Sequence, residues 1–306
     1  MESMAIERPS LATEETVAGP RNGITMEKIE QEIKNRDLKS GAKYKPPKKK
    51  KNIMIESYDF TKKKGKKQLR LSDYQEAIIK YCKFGKKSTE GQGLEITGDK
   101  AKKVTVQYCI FEDFTSKVSN GGEPLRLGNS PQSGCIFECV IKNNIFRNCT
   151  QKDPEMISIK ACKNRIEDNF FINNTTNVTV RHGGLNKIQH NYFKGNNGVR
   201  IHGTGNYVRY NCFADNKETG KLSPITVRWG SKPQDRHWKN NKPLGRKGAS
   251  HDESAPARDT VIEGNEFKNC KITIRDFQDE DEHEKPEGTK KENNKEVRKF
   301  TFETRG

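Results

Sequence analysis

The tripeptide Asn-x-Phe recurs along the chain, at Asn144-Ile145-Phe146, Asn169-Phe170-Phe171, Asn191-Tyr192-Phe193, Asn211-Cys212-Phe213 and Asn265-Glu266-Phe267. The first four asparagines lie 25, 22 and 20 residues apart. A self-similar period in that range is the mark of a solenoid. The residues between are short, alternating, β-branched runs such as "KVTVQYCIF", "MISIK", "NVTVRH" and "GVRIHG", punctuated by Gly and Asn. With no intervening helices, these runs predict an all-β chain wound as a parallel β-helix, each coil laid ~4.8 Å from the next. The phenylalanines are expected to stack inside, and the asparagines to form hydrogen-bonded ladders at the corners. The last interval is 54 residues and holds the polar stretch 231–258, which reads as an inserted loop.

That architecture fits a composition that suits no thick core: of 306 residues 30% are hydrophobic and 32% charged. A solenoid buries only a few side chains per coil. The formal charge of +17 calls for an anionic partner: nucleic acid, an anionic membrane or an acidic polysaccharide. No apolar run reaches the roughly 20 residues of a membrane span. The start, "MESMAIERPS", lacks the basic-then-apolar order of a signal peptide. Eight cysteines include no C-x-x-C pair, and several share one repeated context, so they read as small core residues rather than disulfides or a zinc ribbon.

Three segments follow from texture. Residues 1–90 form a basic N-terminal region with the cationic linker "KYKPPKKKKN" and two possible capping helices. "ITMEKIEQEI" spaces Met26, Ile29 and Ile33 helically. "SDYQEAIIKYCKF" opens on a capping-box pattern, Ser72 to Gln75. Residues 91–275 form the parallel β-helix, with the 231–258 insertion, and 276–306 a charged tail.

Two cations stand out. Lys160 and Arg181 end similar strand-like runs 21 residues apart, about one coil, so they should stand on neighbouring rungs within reach of one ligand. Asp153 and Glu155 precede Lys160 and share a strand face. Five positions separate Glu155 from Lys160, which places them on opposite faces of an unbroken strand. A shared site therefore requires a bend or bulge between them. Arg200, in "NGVRIHG", lies about one further coil on and is a candidate contact for a substrate carboxylate.

Five stretches, "NGGEPLRLGNS" (120–130), "NNIFRNCTQKDPEMISIK" (143–160), "NVTVRHGG" (177–184), "NYFKGNNGVRIHG" (191–203) and "NYVRYNCF" (206–213), together resemble the polysaccharide lyase family that contains chondroitinase B and many alginate lyases. The resemblance covers roughly residues 105–275. It implies a right-handed parallel β-helix and calcium-assisted β-elimination on a uronic acid. Carried over by position, Lys160 matches the Brønsted base and Arg181 the residue at the leaving oxygen. Asn120, Asp153 and Glu155 match the ligands of Ca2+. Asp153 stands where the family usually has Glu, and Ala161 where it has Ser. His182 is a further candidate substrate contact, although alternation turns it away from Arg181, where a packed structural histidine is expected.

The chemistry is coherent. The proton beside a uronate carboxylate is too weakly acidic while that carboxylate keeps its charge; a bound cation would neutralise it. Lysine accepts a proton only when neutral, so the assignment calls for cationic neighbours. Arginine does not plausibly lose its proton, which leaves Arg181 to stabilise charge at the departing oxygen. The expectation is a calcium-dependent lyase on an anionic polysaccharide of alginate or glycosaminoglycan type; the resemblance implies a secreted or cell-surface location, which the residues themselves leave open. The alternative is a non-catalytic β-helix that binds such a polymer. A nucleic-acid partner is disfavoured, because the basic tract lacks interleaved aromatics and no nucleic-acid fold is visible.

Overall fold

The computed structural model describes residues 17–304 apart from 196–197, 217–222, 232–237, 240–241, 244–254, 273 and 279–283. Short strands follow one another in threes, and each pairs in parallel with its counterpart one coil on. Glu155–Ile159, Arg165–Glu167 and Phe170–Ile172 are followed by Asn177–Val180, Lys187–Gln189 and Tyr192–Lys194. The result is a parallel β-helix of three long sheets, of eight, nine and ten strands, around one narrow core. A separate antiparallel pair, Trp238–Lys239 with Lys242–Pro243, lies in the insertion, most of which falls outside the described residues.

The ten-stranded sheet supplies the core's spine. Phe60, Phe84, Phe111, Phe146, Phe171, Phe193, Phe213 and Phe267 are fully buried in one column, ring centroids 4.6–5.1 Å apart. That spacing is the strand spacing itself, so one rotamer repeated coil after coil satisfies packing throughout.

At the corner between the nine- and ten-stranded sheets stands the asparagine ladder, Asn144, Asn169, Asn191, Asn211, Asn265 and Asn294. Each Nδ2 donates to the next Oδ1 at 2.8–3.0 Å. The same Oδ1 accepts a backbone N–H, as from Asn144 to Asn169 at 3.0 Å. The residue before each rung adopts the left-handed conformation, with φ of 53–56° at Asn143, Asp168, His190, Tyr210 and Asn293 and 62° at Gly264. That costs a non-glycine residue on the order of 1 kcal/mol, and the fully bonded ladder over-determines it. A second ladder, Asn164 to Asn186 to Asn206, ties the corner after the eight-stranded sheet.

The coils extend past both ends of the 91–275 segment. Strands begin at Lys39–Ser40, and the region "SDYQEAIIKYCKF" is not helical. It forms Ile78–Lys80 and the start of Lys83–Lys87, and Ala77, Ile79, Cys82 and Phe84 enter the core. Ser72 closes the preceding strand, its hydroxyl bonded to Asp73, and Tyr81 turns the corner with φ of 55°. Tertiary packing has overridden a helix-like local pattern. The charged tail likewise continues the ladders: Lys290–Glu292 and Lys295–Glu296 pair with the coil before, and Phe300 is fully buried.

The other expected helix exists, at Met26–Lys34, with Thr25 Oγ1 accepting from Lys28 N at 3.2 Å. It lies along the flank of the ten-stranded sheet rather than across its end, with Ile29 and Ile33 packed on Ile110, Ile145 and Phe170. Arg21 anchors its approach through Asp168, Nη2 to Oδ2 at 2.7 Å. All eight cysteines are free thiols, seven of them buried.

Candidate active site

The site lies on the outward face of the eight-stranded sheet. Leu127, Ile159, Val180, Ile201 and Val227 point into the core, so the residues on either side of each point outward. One outward row is Arg126, Ser158, Thr179, Arg200 and Thr226 in register. The next holds Lys160, Arg181, His202 and Arg228. Their places are equivalent: Lys160 N donates to Leu127 O at 2.8 Å, Arg181 N to Ile159 O at 2.8 Å and His202 N to Val180 O at 3.0 Å. Lys160 and Arg181 thus share one face on adjacent coils.

The bulge that a shared site requires is present. The register between the Glu155–Ile159 and Asn177–Val180 strands shifts between Glu155 and Ile157. Met156 is the extra residue, and it returns Glu155 to the side of the cations. The Glu155 carboxylate is buried and bonds Arg200 Nη2 at 2.7 Å. Burial pushes its pKa up, but Arg200, Arg181 and Lys160 together, with the Ser158 hydroxyl, outweigh burial and hold it below the ordinary value. Cations from three coils thus act on one carboxylate, with Arg200 in direct contact.

Asp153 is buried beside it. Its Oδ2 accepts from Gly121 N at 2.7 Å and Gly122 N at 3.1 Å, and its Oδ1 accepts from Glu155 N at 3.1 Å. The "NGG" turn is thereby tied to the site strand. Burial and the neighbouring Glu123 and Glu155 carboxylates push the Asp153 pKa up to about 6 against the pull of those N–H donors. Asn120, expected as a ligand, is exposed at the rim of that turn. The residue that approaches Asp153 is Glu123, 1% exposed, which bonds Gln92 Nε2 at 2.8 Å and takes both ends of the Arg126 guanidinium. Arg126 also reaches Glu95, 3.4 Å away, itself paired with Lys67 and Arg70. Among the described residues, no three His, Cys, Asp or Glu side chains stand arranged to hold a metal ion.

Arg200 is brought into the site, paired with Glu155. His182 is buried in the bend after Arg181, its N–H sharing the Ile159 carbonyl. Gly183 makes that bend possible. Its φ is +70°, and a Cβ there would stand 2.6 Å from Ala161 O. Sequence reasoning missed His202 and Arg228. His202 is fully buried, and neither ring nitrogen makes a hydrogen bond. Burial, then Arg200, Arg181, Arg228 and His182, hold its pKa well below the ordinary histidine value, so it is neutral. Two signals were available: His202 is two residues beyond Arg200, and "TVRWG" (226–230) repeats "TVRHG" (179–183).

A parallel β-helix with a lysine and arginines gathered on the outward face of one sheet, beside buried carboxylates, presents a basic surface suited to an anionic ligand. The chondroitinase B family model matches residues 21–276, and the chain belongs to that family of polysaccharide lyases. Solved structures are similar in fold at low identity. The alginate lyase AlyF-OU02 matches with a TM-score of 0.57 at 15% identity, over 81% of this chain and 67% of its own. The PL6 family polysaccharide lyase Pedsa3628 from Pseudopedobacter saltans gives 0.53 at 20%, over 79% and 67%. A mannuronic acid specific family 6 lyase from human gut microbiota gives 0.51 at 19%, over 80% and 62%. This chain thus spans about three fifths to two thirds of the length of these structures. No curated protein matches. Among the described residues no helix is long and apolar enough to cross a membrane.

Proposed function

We propose that the chain cleaves an anionic uronic-acid polymer, of alginate or glycosaminoglycan type, by β-elimination. The observation that carries the reading is the placement of Lys160 and Arg181 at equivalent positions on adjacent coils of one outward face, with Arg200, one coil on, paired to Glu155 beside them. Family membership and the alginate lyases among the similar structures support the substrate class.

Lys160 Nζ takes the C5 proton of the uronate. The electron pair left behind forms the C4–C5 double bond, the C4–O4 bond breaks, and O4 leaves with the bonding pair. Arg181 stabilises that oxygen's charge while a water supplies its proton. Arg200, held in place by Glu155, binds the sugar carboxylate, and His202 lies buried and neutral beside it.

Calcium, which the family resemblance implies, would have to draw on Asp153, Glu155 and Glu123, hard oxygen donors by their chemistry. In this structure they are not arranged as a cation site: Asp153 is bonded by the Gly121 and Gly122 N–H groups, Glu155 by Arg200 and Glu123 by Arg126. Burial, and then the Glu123 and Glu155 carboxylates, leave Asp153 holding its proton up to about pH 6. A bound ion would supply the positive charge that neutralises the sugar carboxylate.

The test is ultraviolet absorbance of the 4,5-unsaturated product, with alginate and dermatan sulfate, with and without chelator. Turnover lost in Lys160→Ala and in chelator is the expected result. Turnover that survives in Lys160→Ala refutes the assignment. Binding of polymer by the native protein without product favours the second reading, a non-catalytic polysaccharide binder; the Arg200–Glu155 ion pair, which occupies the site's central carboxylate, points the same way.

A further inference from the structure

The outward face of the nine-stranded sheet carries a second concavity, of about 610 Å³, that the catalytic reading does not use. It crosses five coils at the edge nearest the candidate site. Its floor is the register row Thr105, Val140, Arg165, Lys187 and Tyr207. Its rim is the left-handed corner row, in which Lys103, Glu138 and Lys163 have φ of 53°, 52° and 61°.

Four cations, Lys103, Lys163, Arg165 and Lys187, therefore face one carboxylate, Glu138. That carboxylate is answered from outside the groove by Lys102, 3.4 Å away. Among the described residues Arg165 has only a loose ion-pair partner, Glu167 at 3.8 Å, and its side chain is 51% exposed. Lys103, Lys163 and Lys187 make no ion pair among the described residues. The cations follow the coil repeat, ~4.8 Å per rung. Between them lie partly exposed apolar side chains, Val140 and Tyr207 on the floor and Leu185 on the corner row. Spaced cations over apolar patches suit sugar rings that each carry a carboxylate. Only one aromatic is present, and Arg209 lies 5.3 Å from its ring centroid, a poor platform for stacked bases.

We infer that this groove is a second binding site for an acidic polysaccharide, which holds the polymer beside the catalytic face without cleaving it. The inference rests on the proposed function only for the class of polymer. Connectivity supports the pairing of the two sites. Lys163 follows Lys160 by three residues and Lys187 follows Arg181 by six, each across one corner. A chain held in the groove is at high effective concentration for the neighbouring face.

Native gel electrophoresis through gels containing alginate or dermatan sulfate tests this with the full chain. The variant is Lys103→Gln/Lys163→Gln/Lys187→Gln, neutral and at exposed or half-exposed positions, with circular dichroism as the folding check. The control, Lys45→Gln/Lys48→Gln/Lys49→Gln, removes the same charge from the exposed linker. The groove variant should lose roughly tenfold or more in apparent affinity, from three lost ionic contacts, and the control much less. Its rate of product formation on a short oligouronide should match the native rate. The groove is refuted if neither polymer retards the native protein, if the two variants lose affinity equally, or if duplex DNA in the gel retards it more than either polymer at the same ionic strength. Retardation that depends on the groove in a protein that forms no unsaturated product leaves the groove standing and removes the lyase reading instead.

Discussion

Along the ten-stranded sheet, successive coils from Phe60 to Phe267 offer the core the same side chain, and from Asn144 to Asn294 the corner before it keeps the same amide. Along the outward face of the eight-stranded sheet no two adjacent coils agree: Arg126, Ser158, Thr179, Arg200 and Thr226 in one row, then Lys160, Arg181, His202 and Arg228 in the next. The difference has a physical origin. An aromatic ring or an amide is complementary to its own copy one coil away, so repetition stabilises. A cation repels its copy, and at the site a bulge that swings Glu155 towards Lys160, Arg181 and Arg200 offsets that repulsion. Repetition builds the scaffold, and departures from it place the chemistry.

The comparison can be broken most directly at its two extremes. Lys160→Ala should lower kcat by roughly 10²–10⁴-fold, the usual weight of a general base. Its unfolding free energy should stay within about 0.5 kcal/mol of the native protein, because the residue belongs to no ladder. Phe171→Ala should do the reverse, costing about 3–5 kcal/mol in denaturant unfolding while any protein that remains folded keeps its rate. A Phe171 variant that loses activity in proportion to neither stability nor folded fraction would show that the spine and the site are coupled.

A smaller effect sharpens the contrast in a different variable. His190 packs under the N-terminal segment, its Nδ1 bonded to Val17 O at 3.0 Å. Burial, and then Arg21, lower its pKa from 6.5 to about 4, against the opposing pull of Asp168 and the Val17 carbonyl. The unfolded chain therefore takes up this proton first. Stability from this residue is intact above about pH 6.5 and is lost as pH falls towards 4, roughly 3 kcal/mol in all. Unfolding curves across that range should fall more steeply for the native protein than for His190→Asn. The smallest effect is expected at Asn120→Ala: exposed at the rim, it should change stability by under about 0.5 kcal/mol and leave turnover nearly unchanged. A large loss of activity there would restore Asn120 to the site in place of Glu123.

Much of the scaffold was legible because its signals are local and repeated. Asn-x-Phe marked the coils from Asn144 onward, and the same residues form the observed ladder and stack. The earlier coils carry Phe60, Phe84 and Phe111 without the asparagine, amid lysines, so the repeat was hidden there. "SDYQEAIIKYCKF" has apolar residues that satisfy either period, and only the neighbouring coils select the strands. At the site, the separation of Lys160 and Arg181 was enough to place them on adjacent rungs. The third carboxylate was not legible, because the loop between Asn120 and Leu125 sets which side chain turns inward.

From the residues alone came the coil, its period, the stacked spine and the pair of cations one turn apart, because each depends on spacing along the chain. The tertiary structure decided the rest: that the ladders take in the basic N-terminal region and the charged tail, that the Glu123 carboxylate is buried near Asp153, and that Arg200 closes on Glu155. Those outcomes depend on which coil lies beside which and on the electrostatics of burial between them, and residues 45 positions apart, such as Glu155 and Arg200, meet only once the solenoid has wound.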